Sequence, residues 1–222
     1  QSIKSGVLVL DVGGTNTRML LVVPGRNDFA VGKCLTKECS SVQEAISQYL
    51  SLLNYTGAIE TVVLGVAGKV DKEKQYVNMT NAKLEIYGAP IQELTGAKNL
   101  LFMNDAEIVA FSAPLLTPGV DTVQLHGDTL DGELSSTLTM FVACSTGVGT
   151  GFWMPDTFKG TGSGVGHATE SGHMTCSYIP EVVRQSVSQQ LQKPDYAITY
   201  EDILAGDGIE RIYKSLGGVD RK

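Results

Sequence analysis

Glycine, hydroxyl and carboxylate groups follow strand-like runs at several points of this chain. The segment Asp11-Val12-Gly13-Gly14-Thr15-Asn16 comes directly after the apolar run 7–10. Two adjacent glycines let the backbone turn tightly and bring N–H groups close to a bound group, and Thr15 and Asn16 add side-chain donors. This chemistry suits a phosphate. Taken alone, however, an ordinary β-hairpin is the simpler explanation of the segment.

A second strand-like run, residues 138–143, leads into Ser145-Thr146-Gly147-Val148-Gly149. Two such turns that face each other could clamp a polyphosphate with backbone N–H groups. Asp11 could then hold Mg²⁺ through water, because Mg²⁺ keeps several of its waters.

The chain contains neither G-x-x-x-x-G-K-[ST] nor a G-x-G-x-x-G that follows a strand, which disfavours P-loop NTPases and Rossmann dehydrogenases.

Carboxylates and a histidine follow further strand and loop segments. Asn104-Asp105 separates the buried run 100–103 from a predicted helix over 106–115, so Asp105 is either a helix N-cap or a proton acceptor. Glu170 and His173 are a hydrogen-bond acceptor and a donor three residues apart. They could bind neighbouring hydroxyls of a sugar, or they could be incidental polar residues of a loop. Taken alone, Glu201 is typical of a helix first turn, and Asn81 of a turn.

The elements that must position these groups alternate between strand and helix periodicity, which predicts a mixed α/β fold. Ser41 and Glu44 form a capping-box pattern before a predicted helix over 41–53. The remaining predictions are strands at 19–23 and 61–66, helices at 180–192 and 209–216, a polar loop over 117–136 and a glycine-rich loop over 159–166.

The composition excludes some classes of protein. The chain has 222 residues and a formal charge of −7, with no basic stripe, which argues against a nucleic-acid partner. No apolar run approaches the ~20 residues of a membrane helix, and no signal peptide is visible. The four cysteines are scattered without a C-x-x-C pair, which predicts buried thiols, no zinc site and a reducing cytoplasm.

Taken together and in this order, the motifs resemble the glucokinases of the hexokinase and actin-like ATPase superfamily. The resemblance includes the segments 11–18, 79–81, 104–105, 146–149, 170–173 and 201–208. It implies an α/β, two-lobed actin-like ATPase (ribonuclease H-like) fold with a cleft between the lobes. The expected small lobe spans residues 1–104 and the large lobe 105–222.

The resemblance also implies an ATP- and Mg²⁺-dependent kinase that phosphorylates the 6-hydroxyl of glucose, with Asp105 as the general base. A small-molecule hexose is the expected partner, and a homodimer is left open. The implied sugar ligands are Asn81, Asn104, Asp105, Glu170, His173 and Glu201. The implied ATP phosphate ligands are Asp11, Gly13, Gly14, Thr15, Asn16, Thr146 and Gly147, with Asp11 also near Mg²⁺.

Two departures from the family pattern support a second hypothesis. Ser145 stands where the family usually has glycine, and the chain ends soon after Gly208. We therefore expect the C-terminal part that carries the family's adenosine pocket to be missing. A sugar-binding regulatory protein or degenerate kinase is the alternative function. The related zinc-bearing sugar kinases pair a similar Glu-x-Gly-His segment with a cysteine cluster, which Cys176 alone cannot supply.

Overall fold

The computed structural model describes residues 5–26, 30–79, 82–126, 138–145, 147–156 and 163–218. The chain divides into two compact units, Gln1–Ile108 and Val109–Lys222, a few residues beyond the predicted boundary at 104/105. Each unit contains both strands and helices, so the predicted mixed α/β class is confirmed. Within the described ranges, no helix has the length and apolar character needed to cross a membrane.

The first unit is built on a five-stranded sheet with the strand order β3-β2-β1-β4-β8. Strand β2 runs antiparallel to both β1 and β3, whereas β4 runs parallel to both β1 and β8. The elements are β1 (Gly6–Val12), β2 (Asn16–Val22), β3 (Val31–Leu35), α1 (Val42–Leu52), β4 (Ile59–Val66), β5 (Lys69–Asp71), β6 (Tyr76–Met79), β7 (Leu84–Tyr87), α2 (Gly88–Thr95), β8 (Asn99–Asn104) and α3 (Asp105–Ser112).

The parallel strands β1, β4 and β8 end at the same edge of this sheet. Val12 of β1 lies opposite Val66 of β4, and Val66 lies opposite Asn104 of β8. Neighbouring strands are ~4.8 Å apart, so the ends of β1 and β8 are separated by about 10 Å along this edge. The first glycine turn and the Asn104-Asp105 pair are therefore neighbours in the fold, although almost ninety residues separate them in the sequence.

Alternating residues of β1 anchor the sheet to a hydrophobic core. Leu8, Leu10 and Val12 are completely buried, and Ile46 and Tyr49 of α1 belong to the same core. Each buried leucine contributes roughly 1.5–3 kcal/mol relative to its exposed state. The strand that carries the glycine turn is therefore firmly held up to the residue before the turn.

Helix α1 begins as its sequence predicts. The Ser41 hydroxyl accepts a hydrogen bond from the Glu44 N–H at 3.1 Å. The Glu44 carboxylate reaches back one residue further than in a capping box and accepts the Ser40 N–H at 3.2 Å. The cap is thus confirmed, with Ser40 in place of Ser41 as the returning donor.

The second unit contains an antiparallel sheet with the order β11-β10-β9, followed by helices. Gly164 to Gly166 belong to a strand here, so the prediction of a loop across 159–166 is wrong for this part. Residues 159–162 of that loop, and residues 127–136 of the predicted polar loop, lie outside the described residues. The elements are β9 (Thr139–Cys144), β10 (Val148–Pro155), β11 (Gly164–Thr169), α4 (Glu181–Leu191), α5 (Tyr200–Leu204) and α6 (Gly206–Ser215).

The cysteines depart from the prediction of four buried thiols. Cys176 is buried, Cys34 and Cys39 are half-buried, and Cys144 is exposed. All four are free thiols. Cys144 is exposed because it lies in β9, most of whose side chains are accessible to solvent.

Candidate functional site

The first predicted glycine turn connects β1 to β2 and is braced from behind. The Gly13 N–H donates to the Asn16 carbonyl at 2.9 Å, which closes the turn. Thr36, in a short 3-10 helix after β3, donates its hydroxyl to the Gly13 carbonyl at 2.7 Å and its N–H to the Thr15 carbonyl at 3.0 Å. Because Thr36 is buried while Gly14 and Thr15 are exposed, the turn is supported on one side and accessible on the other.

Gly14 leaves room for a ligand. A Cβ atom at this position would meet no atom within 4 Å, and neither Gly13 nor Gly14 adopts a left-handed backbone conformation. The backbone angles therefore do not require glycine in this turn, and position 14 is open and exposed. Among the hydrogen bonds within the described ranges, none uses the N–H of Gly14 or Thr15. Two adjacent N–H groups of this kind can bind an anion.

Asp11 lies at the end of β1 and forms an ion pair across the hairpin. Its Oδ2 is 2.7 Å from Nη1 of Arg18, and the two side chains are 51% and 53% exposed. Such a surface pair contributes at most about 1 kcal/mol, so it does not prevent the carboxylate from taking another partner. No cluster of three metal-ligating side chains occurs in the described part of the chain. A single carboxylate still fits Mg²⁺, which takes one or two carboxylates together with water and substrate phosphates.

Asn104 and Asp105 join β8 to α3 at the same sheet edge. The Asn104 side chain accepts the Ala106 N–H at 2.9 Å and donates to the Gly68 carbonyl at 3.2 Å. Oδ1 of Asp105 also accepts the Ala106 N–H at 2.9 Å, and the residue is exposed. Capping is therefore shared between the two residues, whereas the sequence suggested Asp105 alone. Asn81 and its neighbour in the predicted motif lie outside the described residues.

The second predicted turn connects β9 to β10 in the other unit. The Ser145 N–H donates to the Gly147 carbonyl at 2.8 Å, and the Ser145 carbonyl accepts the Gly206 N–H at 2.8 Å. The start of α6 is thus tied to the turn. Thr146, at the centre of the turn, lies outside the described residues. An open cavity of about 440 Å³ lies beside this turn and is lined by Cys144, Ser145, Leu204, Gly206, Asp207 and Ile209.

Glu201 lies directly against this second turn. Its Oε2 accepts the Val148 N–H at 2.9 Å. A Cβ atom at position 147 would lie 2.7 Å from the same oxygen, so glycine is the residue that leaves space for the carboxylate. The predicted sugar ligand Glu201 and the predicted phosphate ligand Gly147 are therefore in contact. The sequence contained no signal for this contact, because the two residues lie far apart along the chain.

Glu170 precedes a short 3-10 helix, Ser171–His173, and His173 is its last residue. Oε2 of Glu170 is 3.5 Å from Nε2 of His173, and both side chains are mostly exposed. A Cβ atom on Gly172 would lie 2.4 Å from the Val148 carbonyl oxygen. Only glycine allows this segment to pack against β10, so Gly172 brings Glu170 and His173 close to the second turn.

A capping box holds the helix that carries Glu201. The Thr199 hydroxyl accepts the Asp202 N–H at 3.2 Å, and the Asp202 carboxylate accepts the Thr199 N–H at 3.0 Å. Nζ of Lys193 lies 2.8 Å from the same carboxylate. The Tyr200 N–H donates to the Met174 carbonyl at 3.0 Å, which joins this helix to the segment after His173. In the second unit, Gly147, Glu170, His173 and Glu201 therefore converge.

Replacing Asp202 with Asn is expected to lower the free energy of unfolding by about 1–2 kcal/mol at neutral pH, because the hydrogen bonds from Lys193 and Thr199 lose their charged acceptor. Partial burial raises the pKa of Asp202. Hydrogen bonds from Lys193 and Thr199 lower it by more than burial raises it, so the pKa lies below its ordinary value. The stabilisation is therefore present above about pH 4 and is lost as the pH falls through the folded-state pKa.

Urea denaturation at pH 7 and under acidic conditions would measure this effect. The difference between Asp202→Asn and the unsubstituted chain should shrink as the pH falls below about 4. Asp207→Asn is a matched control, because the Asp207 side chain is 88% exposed and its ion pair with Arg211 is longer, at 3.6 Å. Equal destabilisation by the two substitutions would contradict the role given to the charged Asp202 carboxylate.

Solved structures with a similar fold include two glucokinases. The glucokinase of an Antarctic psychrotroph superposes with a TM-score of 0.74 at 20% identity, over 98% of this chain and 67% of its own length. The glucokinase of Balamuthia mandrillaris, solved in complex with glucose, gives a TM-score of 0.63 at 19% identity, over 95% of this chain and 62% of its own. The chain shares its fold with these two structures, which is consistent with the predicted actin-like ATPase fold.

The sequence comparison specifies the family. The family model named Glucokinase matches residues 8–222. The bifunctional protein glk of Paraburkholderia xenovorans (strain LB400) is 29% identical over 222 residues, which cover 97% of this chain. The chain belongs to the glucokinase family, as the motif order suggested. It spans 32% of the length of that Paraburkholderia relative.

Proposed function

We propose that the chain acts in ATP-dependent transfer of a phosphoryl group to the 6-hydroxyl of glucose. The observation that carries the proposal is the sheet edge at which β1 and β8 end. It holds a turn whose Gly14 and Thr15 N–H groups make no hydrogen bond within the described ranges, and an exposed carboxylate, Asp105, after a strand about 10 Å away. Phosphoryl transfer depends mainly on positioning and charge neutralisation, and these are the groups that would supply both.

Asp105 would accept the proton of the attacking hydroxyl. A general base must lie within hydrogen-bond reach of the proton that it takes, and an exposed carboxylate at a strand end can offer an oxygen to a bound sugar. Asn104 keeps one amide hydrogen and one lone pair beyond its two internal bonds, so it can still bind a sugar hydroxyl. Asn81 is the remaining proposed ligand from the first unit.

The second unit would bind other hydroxyls of the same sugar. Glu170 and His173 offer an acceptor and a donor side by side, and both are exposed. Oε2 of Glu201 is bonded to Val148, which leaves Oε1 to accept a sugar hydroxyl. The proposal requires ligands from both units to reach one substrate, as the predicted cleft between two lobes would allow.

The phosphates of ATP would be bound by backbone N–H groups. Gly14 and Thr15 offer theirs at the first turn, where Gly13 and Asn16 close the loop. Thr146 and Gly147 would contribute at the second turn. Asp11 would hold Mg²⁺ through water, and the ion would neutralise phosphate charge during transfer. An acidic chain can bind ATP in this way without a cluster of basic side chains.

A sugar-binding regulatory protein or degenerate kinase is the second candidate function. The Glu201 carboxylate accepts a hydrogen bond from the Val148 N–H, directly after the second turn. Its negative charge disfavours a phosphate at the same place. Ser145 adds a side chain where the family usually has glycine. Both features leave the proposed sugar ligands intact, so they favour sugar binding without transfer.

Calorimetric titration of glucose into the 222-residue chain, without nucleotide, tests the sugar site. We expect saturable binding that becomes about 10–100-fold weaker in Glu170→Ala, because a charged hydrogen bond is lost. Glu181→Ala is the matched control, since Glu181 is an exposed glutamate in the first turn of α4. A chain that melts cooperatively but does not bind glucose would overturn the proposed sugar site.

An assay for glucose phosphorylation by the same chain separates the two candidate functions. Saturable, ATP-dependent formation of glucose 6-phosphate would exclude the degenerate kinase. Glucose binding without any product would support the degenerate kinase and reject transfer by this chain.

A further inference from the structure

Two cysteines are in contact behind the first glycine turn. Cys34 lies in β3, opposite Thr17 of β2, and Cys39 directly follows the short 3-10 helix Thr36–Glu38. Their Sγ atoms are 2.9 Å apart, and both are half-buried free thiols. A disulfide requires about 2.05 Å, so the two sulfurs need to approach by less than about 1 Å.

The residues between the two cysteines include the one that braces the turn. Thr36 is buried, and its hydroxyl and N–H bond the carbonyls of Gly13 and Thr15 at 2.7 and 3.0 Å. The Cys39 N–H in turn donates to the Thr36 carbonyl at 3.3 Å. A covalent bond between Cys34 and Cys39 would therefore close a small ring around Thr36 and restrict its motion.

We propose that Cys34 and Cys39 are an oxidative modification site, at which a small-molecule disulfide such as oxidised glutathione produces a reversible intramolecular disulfide. This bond holds Thr36 against the first glycine turn. The proposal rests on the contact between the two sulfurs and does not depend on the proposed catalytic function.

The chemistry is a pair of thiol–disulfide exchanges. The Cys34 thiolate attacks one sulfur of the glutathione disulfide, forms a mixed disulfide and releases one glutathione thiolate. The Cys39 thiol then loses its proton to solvent and attacks the Cys34 sulfur, which releases the second glutathione thiolate. The two protein thiols are oxidised by two electrons, and one glutathione disulfide is reduced to two thiols.

The surroundings of Cys39 make this reaction slow at neutral pH. Burial raises the pKa of the Cys39 thiol to about 12, with further contributions from the Cys34 thiol and from the carboxylates of Glu44 and Glu38. Only the thiolate is nucleophilic, so ring closure by Cys39 should become faster as the pH rises.

Mass spectrometry of the 222-residue chain tests the site directly. After incubation with oxidised glutathione, alkylation and proteolysis, we expect one intramolecular disulfide that links Cys34 to Cys39 and disappears on reduction. Cys176 should remain alkylatable as a free thiol. Cys144 is exposed and is removed in a parallel Cys144→Ser sample, which should give the same 34–39 linkage. Linkages that instead involve Cys176, or a 34–39 pair that stays reduced at pH 8–9 under excess oxidant, would overturn the proposal.

Hydrogen exchange then tests the effect on the turn. The Thr36 N–H donates to the Thr15 carbonyl, so its exchange should slow at least several-fold on oxidation, whereas exchange of the Val148 N–H in the other unit should not change. Cys34→Ser should melt cooperatively and show no response to the oxidant. An oxidised chain in which Thr36 exchanges faster would show that the disulfide distorts the turn, contrary to the proposal.

Discussion

Asp105→Asn is expected to lower the rate of glucose phosphorylation by about 10²–10⁴-fold, the usual contribution of a general base. Asn has the shape of Asp and can keep the hydrogen bond from the Ala106 N–H, so α3 should remain intact. The amide cannot accept the hydroxyl proton at neutral pH. Glucose affinity should change little, because a neutral oxygen remains at the same position. The turnover rate at saturating glucose and ATP, together with calorimetric binding, would measure both quantities.

Glu107→Gln provides the matched control for this prediction. Glu107 lies two residues further along α3 and pairs with Lys72 at 2.8 Å, away from the proposed chemistry. Its substitution should reduce stability slightly and leave turnover within about twofold of the unsubstituted rate. If Asp105→Asn turns over glucose as fast as the unsubstituted chain, Asp105 is not the general base.

Gly147→Ala is expected to weaken glucose binding by about 10–100-fold with little loss of stability. The added Cβ would lie 2.7 Å from Oε2 of Glu201, so the carboxylate must move and lose its bond to the Val148 N–H. The atom that moves is the end of a flexible side chain, so the backbone can stay in place. The proposed sugar ligand would then be misplaced without unfolding the unit. Calorimetry and thermal melting of the same samples would measure the two effects separately.

Gly149→Ala is the matched control, with the same added methyl group two residues away. Its Cβ would lie 3.9 Å from its nearest neighbours, both in Ala143, which is an ordinary contact. The control should therefore bind glucose within about twofold of the unsubstituted chain. A large loss of stability in Gly147→Ala would show that the turn itself needs glycine. Unchanged glucose affinity would show that the position of Glu201 is irrelevant to sugar binding.

Local patterns predicted the elements whose stability depends on nearby residues. Strand β1, the glycine turn and strand β2 follow from an apolar run, two glycines and a second apolar run. Helix α1 follows from its period and from Ser41, whose hydroxyl accepts the Glu44 N–H. In both cases the decisive contacts join residues close together in the chain, so they can be recognised in sequence.

Other elements escaped prediction because long-range packing specifies them. Gly164 to Gly166 look like a flexible loop, yet they form part of β11 beside β10, where Trp153 packs against Gly164. Thr36 has no distinctive neighbours in sequence, and its role depends on the carbonyls of Gly13 and Thr15. Contacts of this kind exist only after the sheets have formed.

The family, the residue types of the two turns and the order of the proposed ligands could be predicted without a structure, because they depend on side-chain identity and short spacing. Folding determines which of these groups are neighbours. Parallel pairing of β1, β4 and β8 places the first turn near Asp105, and the close approach allowed by Gly147 places Glu201 on the Val148 N–H. Strand pairing and glycine packing act between residues far apart in the chain, and such distances are set only by the folded backbone.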